Sequence, residues 1–355
     1  MRELATPSGG EAGAREIQPD VHARDTRLMI VGSTPQRTPR SAGSMRIGVT
    51  VPNVHETLAE RTTIEAVGRM ADELGFDSIW CNDHVAIPSA RDGAGAEPAY
   101  AAAYGEQRRQ NIYEPLIVLA YLAAVTRRVL LGTSVYLLPL RNPVLAAKQA
   151  VSLDRLSNGR LVFGVGVGWL EGEFAALGVP YRQRGSRTDE AIAVLKTLCG
   201  QDSAEFHGRH YSFTGVEFLP KPVQRPHPLL WIGGRSDAAV QRAARSGDAW
   251  HPSHLTVDEL RRQIPELRAE CERAGRSPSE VTVATRRKLV LTPSPTDEAD
   301  RVLRGDARAI AATVAELEQV GVAHLIVELP GSSEGELLEN LEWFGREVLT
   351  EIGHA

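Results

Sequence analysis

From Met45 onward, short β-branched runs alternate with longer amphipathic segments, and this rhythm constrains the fold more than any other feature of the chain. Residues 46–51 (RIGVTV) read as a strand. A helix over Arg61–Leu74 follows and Gly75 closes it, because glycine takes the left-handed conformation at a helix C-terminus without a Cβ clash. Residues 77–81 form the second strand. A long loop over 82–113, with Arg91, Tyr100, Tyr104, Arg108 and Arg109, leads to a helix over 114–125. Strand 129–135 precedes a helix over Pro143–Leu156, with Pro143 at the first helical position, where no N–H is needed. After the turn Ser157-Asn158-Gly159 come strand 160–165 and helix 188–198. Residues 203–227 break the rhythm: HGRHYSF and VEFLPKP predict a small β-insertion between a strand and a helix. Strands 228–232, 248–250, 281–291 and 322–328, with helices 238–245, 257–274, 306–320 and 334–349, complete the pattern.

Eight strands, each followed by a helix, predict a parallel sheet closed into a (β/α)₈ TIM barrel. A doubly wound open sheet is the alternative. Against it, no GxGxxG follows the first strand, where such a fold places its dinucleotide loop. Residues 45–355 read as this one domain. Residues 1–44, with Gly9-Gly10, Pro7, Pro19, Pro35 and Pro39, read as a disordered leader or an upstream extension. Its one apolar patch, Leu28–Val31, is far too short for a secretory signal or a membrane span.

Composition narrows the function classes. With 42% hydrophobic and 24% charged residues the chain is ordinary for a globular protein, and a net charge of −5 gives no reason to bind nucleic acid or an anionic membrane. Cys81, Cys199 and Cys271 form no CxxC pair, which points to a reduced, cytoplasmic protein. His207/His210 and His251/His254 have i, i+3 spacing, but no Cys or carboxylate cluster completes a metal site around either pair.

In a barrel of this kind the chemistry sits just after the C-terminal ends of the strands. The residues there are Asn82-Asp83-His84, Thr133-Ser134, Gly166 to Trp169, Gly233-Gly234-Arg235, Trp250-His251 and Glu328. Asp83-His84 is the candidate acid/base pair, because imidazole titrates near neutrality and an adjacent carboxylate can fix its tautomer. The plainer alternative is a strand-end histidine bonded to backbone. Gly233-Gly234-Arg235-Ser236 opens a helix, where backbone amides bind anions and an arginine adds a charge-assisted fork; the alternative is an ordinary strand-to-helix turn. The alternate glycines of Phe163–Trp169, Gly164, Gly166 and Gly168, clear one face of a strand for a flat ring or another backbone. Trp80 and Trp231 lie inside strands and read as core, whereas Trp169 and Trp250 at strand ends are candidates for ring stacking. Of Arg286-Arg287-Lys288, one or two face an anionic substrate or cofactor tail and the rest are solvated.

Three stretches, GFDSIWCNDHVAIP (75–88), the run from Leu131 to Phe174 containing SVYLLPLRNP and GVGVGWLEGEF, and PLLWIGGRSDAAVQRAARSGDAWHP (228–252), together resemble the bacterial luciferase-like superfamily, and within it the F-420-dependent branch. The resemblance spans residues 45 to about 345. It implies that His84 handles a proton at the reactive face of a cofactor and that Ser134-Val135 form a non-proline cis peptide behind its tricyclic ring. It also implies that Gly233, Gly234 and Arg235 hold the cofactor phosphate while Gly166 and Gly168 leave room beside it. The insertion at 203–227 falls where this superfamily departs from a plain barrel. Sugar-phosphate-oxidising relatives carry an acidic residue directly after the glycine run; here Trp169 stands there, which favours a more apolar substrate pocket. The implied function is hydride transfer between coenzyme F-420 and a small organic substrate. The alternatives are a reduced-FMN monooxygenase fed by a separate reductase, or a barrel that stores the cofactor. Homodimers are common among such relatives.

Overall fold

The computed structural model describes residues 45–88, 110–291 and 299–353; the leader and the middle of the long loop lie outside the described residues. Eight strands form the barrel: β1 Arg46–Thr50, β2 Ser78–Cys81, β3 Leu130–Thr133, β4 Leu161–Gly166, β5 Leu229–Gly233, β6 Ala249–His251, β7 Thr282–Val290 and β8 His324–Glu328. Each pairs in parallel with the next, β8 pairs with β1, and the β4–β5 pairing leaves no open edge. This is the (β/α)₈ barrel expected from the alternation.

The helices that carry the chain back are α1 Arg61–Leu74, α2 Pro115–Val125, α3 Pro143–Leu156, α4 Arg184–Gly200, α5 Asp237–Ser246, α6 Val257–Arg273, α7 Ala307–Gln319 and α8 Glu334–Trp343. Their starts are written locally. Asn142 accepts from the amides of Val144 and Leu145 ahead of α3, and Thr256 and Glu259 close a reciprocal capping box on α6. Gly75 ends α1 at φ 88°. The last helix is shorter than the sequence predicts, because a π-helical turn over Phe344–Val348 follows Trp343.

Strand alternation sorts side chains into two cores. Outward residues such as Ile47, Ile79, Phe163, Ile232 and Leu325 pack beneath the helices. Inward, Trp80, Val162, Trp231, Ala249, Ala284 and Ile326 fill the barrel. Trp80 and Trp231 stack at 4.8 Å between centroids, as the strand positions of both predict. Trp80 needs its neighbours to be small: a Cβ on Gly132 would lie 2.2 Å from its ring. The middle of the barrel is therefore solid, and any ligand must enter at the rim.

The β-insertion is a hairpin, Ser203–His207 with Ser212–Glu217, and its position corrects the sequence reading. It lies between helix α4 and strand β5, not between a strand and a helix, so it decorates the N-terminal approach to β5. The hairpin tip is held to α4 by Glu190, whose carboxylate accepts from the amides of Arg209, His210 and Tyr211. None of the described helices is long and apolar enough to cross a membrane.

Candidate active site

Above the tryptophan layer, the next inward positions on the strands are polar. Asn82 follows β2, Ser134 follows β3, and His251, Arg286 and Glu328 stand on β6, β7 and β8. Arg286 is the hub. Its Nε donates to Glu328 Oε2 at 3.1 Å and its Nη2 to the same oxygen, while its Nη1 reaches Asn82 Oδ1. Asn82 is fixed in turn by Asn53, which accepts from its N–H at 2.9 Å and donates to its carbonyl at 2.8 Å. Burial alone would raise the Glu328 carboxyl, but the charge and hydrogen bonds of Arg286 outweigh it, and the group sits below the usual range. Of the three consecutive cations, strand alternation thus sends Arg286 into the mouth. Arg287 is buried outward, where it donates to the Leu255 carbonyl at 2.8 Å, and Lys288 is exposed. Arg286 is paired with Glu328, and Lys288 is the exposed cation of the run.

The Ser134–Val135 peptide is cis. Two inward side chains pin it: Ser134 Oγ lies 2.9 Å from His251 Nε2, and Arg286 Nη1 approaches the Ser134 carbonyl at 3.5 Å. His251 is fully buried beside Trp80 and Trp231, with ring centroids 5.8 Å from each. Burial, reinforced by the Arg286 charge, pushes its imidazole down to about 3, so the ring is neutral near pH 7. Val135 fills the space that two glycines open. A Cβ on Gly166 would fall 2.3 Å from Val135 Cγ2, and one on Gly233 would fall 2.6 Å from Val135 Cγ1. The room beside Gly166 is therefore taken by the bulge itself. Gly168, at φ 76°, turns the chain above Phe174, whose ring would be 2.8 Å from an added Cβ.

His84 lies beyond β2 and is buried, and the structure gives it a partner the sequence reading missed. Its Nδ1 is 2.9 Å from Oε2 of Glu173, a fully buried carboxylate on the short helix Glu171–Ala176 after β4. Oε1 of Glu173 accepts from the peptide N–H groups of Val85 and Ala86. Trp169 meets the imidazole edge-on, with centroids 5.8 Å apart. Asp83 points the other way. Its carboxylate takes the Leu137 N–H at 2.7 Å and a bidentate grip from Arg141, whose guanidinium stacks on Tyr136 at 4.1 Å. Asp83 therefore anchors the segment after β3 instead of orienting His84. The signal for Glu173 is present in the sequence as the first-turn acid of GWLEGEF, but nothing local ties it to a histidine 89 positions away.

The Gly233–Ser236 turn leads into α5 at the rim. Gly234 has φ 122°, and an added Cβ there would crowd Ala239 at 2.8 Å. Ser236 caps the helix by accepting from Ala239 N–H at 3.3 Å. Arg235 is exposed and forms no ion pair among the described residues, though its charge helps lower His254 to about 4, mainly an effect of burial. A helix N-terminus with an uncommitted guanidinium is a donor set that fits a phosphate; Asp237 in the first turn opposes it. Trp250, expected to stack on a ring, is instead buried in the outer core, where its Nε1 holds the Gly234 carbonyl at 2.9 Å. Among the described residues no group of three or more His, Cys, Asp or Glu could hold a metal ion.

The chain is similar to several known proteins. The profile of the luciferase-like monooxygenase family matches residues 45–337. An uncharacterized protein of Mycobacterium tuberculosis is 34% identical over 231 residues, 64% of this chain and 78% of its own. The FMNH(2)-dependent dimethylsulfone monooxygenase of Pseudomonas putida is 31% identical over 232 residues, 63% of this chain and 62% of that enzyme. Among solved structures, an F420-dependent secondary alcohol dehydrogenase in complex with an F420-acetone adduct superposes with a TM-score of 0.72 at 17% identity, covering 87% of this chain and 99% of that one. A monooxygenase from Streptomyces bottropensis does so with a TM-score of 0.69 at 22% identity, covering 86% and 99%. Both likenesses are of fold.

Proposed function

The chain belongs to the luciferase-like monooxygenase family, an enzyme family of oxidoreductases, and from that premise we propose that it uses the deazaflavin coenzyme F-420 to transfer a hydride to or from a small organic substrate. The observation that carries this reading is the buried His84, hydrogen-bonded to Glu173 and edged by Trp169 at the barrel mouth. Reduction of a C=C or C=N bond, or oxidation of an alcohol, requires one proton to move for each hydride. An imidazole held by a carboxylate inside a dry site is suited to that task. When bound, the coenzyme supplies the hydride chemistry. The protein binds its phosphate through Gly233, Gly234 and Arg235 with the α5 N-terminus, and presents the Ser134–Val135 bulge and Trp169 to its ring. His84 gives or takes the proton.

A second reading, a reduced-FMN monooxygenase supplied by a separate reductase, is favoured by the 31% identity to the FMNH(2)-dependent enzyme of Pseudomonas putida. The two separate in an anaerobic assay. Purified protein with F-420 and a panel of secondary alcohols, or with reduced F-420 and enones or imines, is expected to change the deazaflavin absorbance. Silence across the panel, together with oxygen uptake when reduced FMN is supplied, would transfer the assignment to the monooxygenase. Replacing Arg235 with Ala is expected to weaken coenzyme binding by about 10–100-fold, the worth of a charge-assisted contact, with Tm unmoved. Unchanged affinity would remove the α5 turn from the phosphate site.

A further inference from the structure

We propose that Glu173 is the positioning residue of this site: it holds the His84 ring with its proton on Nδ1, so that proton exchange with the substrate runs through Nε2. The proposal deepens the proton role given to His84 above and rests on that reading for its catalytic consequence, but the tautomer itself does not.

Three observations converge. The first is that Glu173 and His84 are both buried, their side chains 0% and 3% exposed, with Oε2 to Nδ1 at 2.9 Å. The second is that Oε1 of the same carboxylate already accepts two peptide N–H groups, from Val85 and Ala86. Two N–H donors favour the ionised carboxylate, which has no hydrogen of its own to give, so the ring nitrogen facing Oε2 carries it. The third is that the neighbouring Asp83 is fully engaged by Arg141 and the Leu137 amide, so the one carboxylate adjacent in sequence cannot do this work.

Glu173 is itself placed by close packing. Phe174, its neighbour, seats under Gly168, and a Cβ on Gly172 would fall 2.5 Å from Pro88 Cγ. The short helix thus docks onto the segment that carries His84, and Glu173 bonds both the ring and the peptide groups that follow it. Position and tautomer of the imidazole are set by one side chain.

Glutamine tests this cleanly. In Glu173→Gln the amide oxygen can still accept from Val85 and Ala86, keeping the segment anchored, while the amide NH₂ faces Nδ1 and favours the opposite tautomer. The primary readout is the ¹⁵N spectrum of the apo-protein labelled at histidine, assigned with His84→Gln. Read in the pH range where the ring is neutral, the wild-type His84 signals should report protonation at Nδ1, and the Glu173→Gln signals should shift toward protonation at Nε2. In turnover, kcat should fall by about 10²–10⁴-fold, as when an imidazole is held in the wrong tautomer, with KM changed far less. Glu173→Asp, which keeps an acceptor, should keep the Nδ1–H form and recover part of kcat. An unaltered tautomer in Glu173→Gln, or equal losses in the Gln and Asp variants accompanied by a matching fall in Tm, would overturn the proposal and leave Glu173 a packing residue. Because the spectrum is read without cofactor, failure of the F-420 assignment would leave this result standing, and failure of the tautomer would leave that assignment untouched.

Discussion

Two buried histidines stand at the mouth of this barrel, and the protein treats them oppositely. His84 faces a carboxylate, Glu173, through Nδ1. His251 faces a hydroxyl, Ser134 Oγ, and lies near the guanidinium of Arg286, with two tryptophans beneath it. Burial, reinforced by the Arg286 charge, keeps the second ring neutral, and it bonds Ser134 of the cis peptide as a fixed strut. The first ring instead has a buried carboxylate as its partner. The proposed division of labour, His251 as support and His84 as proton carrier, follows from these different partners.

The largest expected effect tests that division directly. His84→Ala should lower turnover by about 10²–10⁴-fold, the usual worth of a positioned proton carrier. His251→Gln, which can still bond Ser134, should retain turnover within about tenfold, since no proton passes through it. Comparable losses in both variants would collapse the distinction.

Stability against pH probes the neutral ring of His251 independently. The folded-state pKa of His251 is depressed to about 3 and that of His254 to about 4, both from an ordinary 6.5. The unfolded chain therefore binds more protons than the native one throughout that interval. Stability is fully present above pH ~6.5 and is lost as pH falls toward the folded values, by about 2 kcal/mol per fully buried ring between pH ~6.5 and ~5. Carboxylates titrate mostly below that window. Denaturant unfolding at several pH values should show the loss in wild type and a shallower slope in His251→Gln; an identical slope would mean that His251 is not held neutral.

The smallest effect concerns the edge contact on His84. Trp169→Phe keeps an aromatic ring and should change turnover by less than about tenfold, within the worth of an edge-to-face pair. A loss as large as that of His84→Ala would give Trp169 a part beyond contact with the imidazole and the cofactor ring.

Much of the scaffold was legible because it follows from short-range rules. Runs such as SIWC and LVFGVG are buried on both faces, as parallel barrel strands must be, and Gly75, Pro143 and the Thr256/Glu259 box mark helix boundaries in the chain itself. The site was legible in outline for the same reason: strand ends were named, and Asn82, His84, Ser134, His251 and Glu328 do gather at one mouth. Its pairings were not. Adjacent residues near a strand end point to opposite sides, so Asp83 turns to Arg141 while His84 turns to Glu173, and sequence proximity suggested the wrong carboxylate. Trp250 follows the same rule, facing the outer core between the inward Ala249 and His251. The Arg286–Glu328 pair is set by the register of β7 against β8, which places Arg286 opposite Ile326 and two residues from Glu328's partner. Register is a property of the closed sheet, and no local pattern encodes it.

The most direct single measurement is an equilibrium titration of the purified apo-protein with coenzyme F-420 and, separately, with FMN, followed by fluorescence. We expect saturable micromolar binding of F-420 and much weaker binding of FMN. Tighter binding of FMN, or saturation by neither, would contradict the assignment of a deazaflavin-dependent hydride transfer.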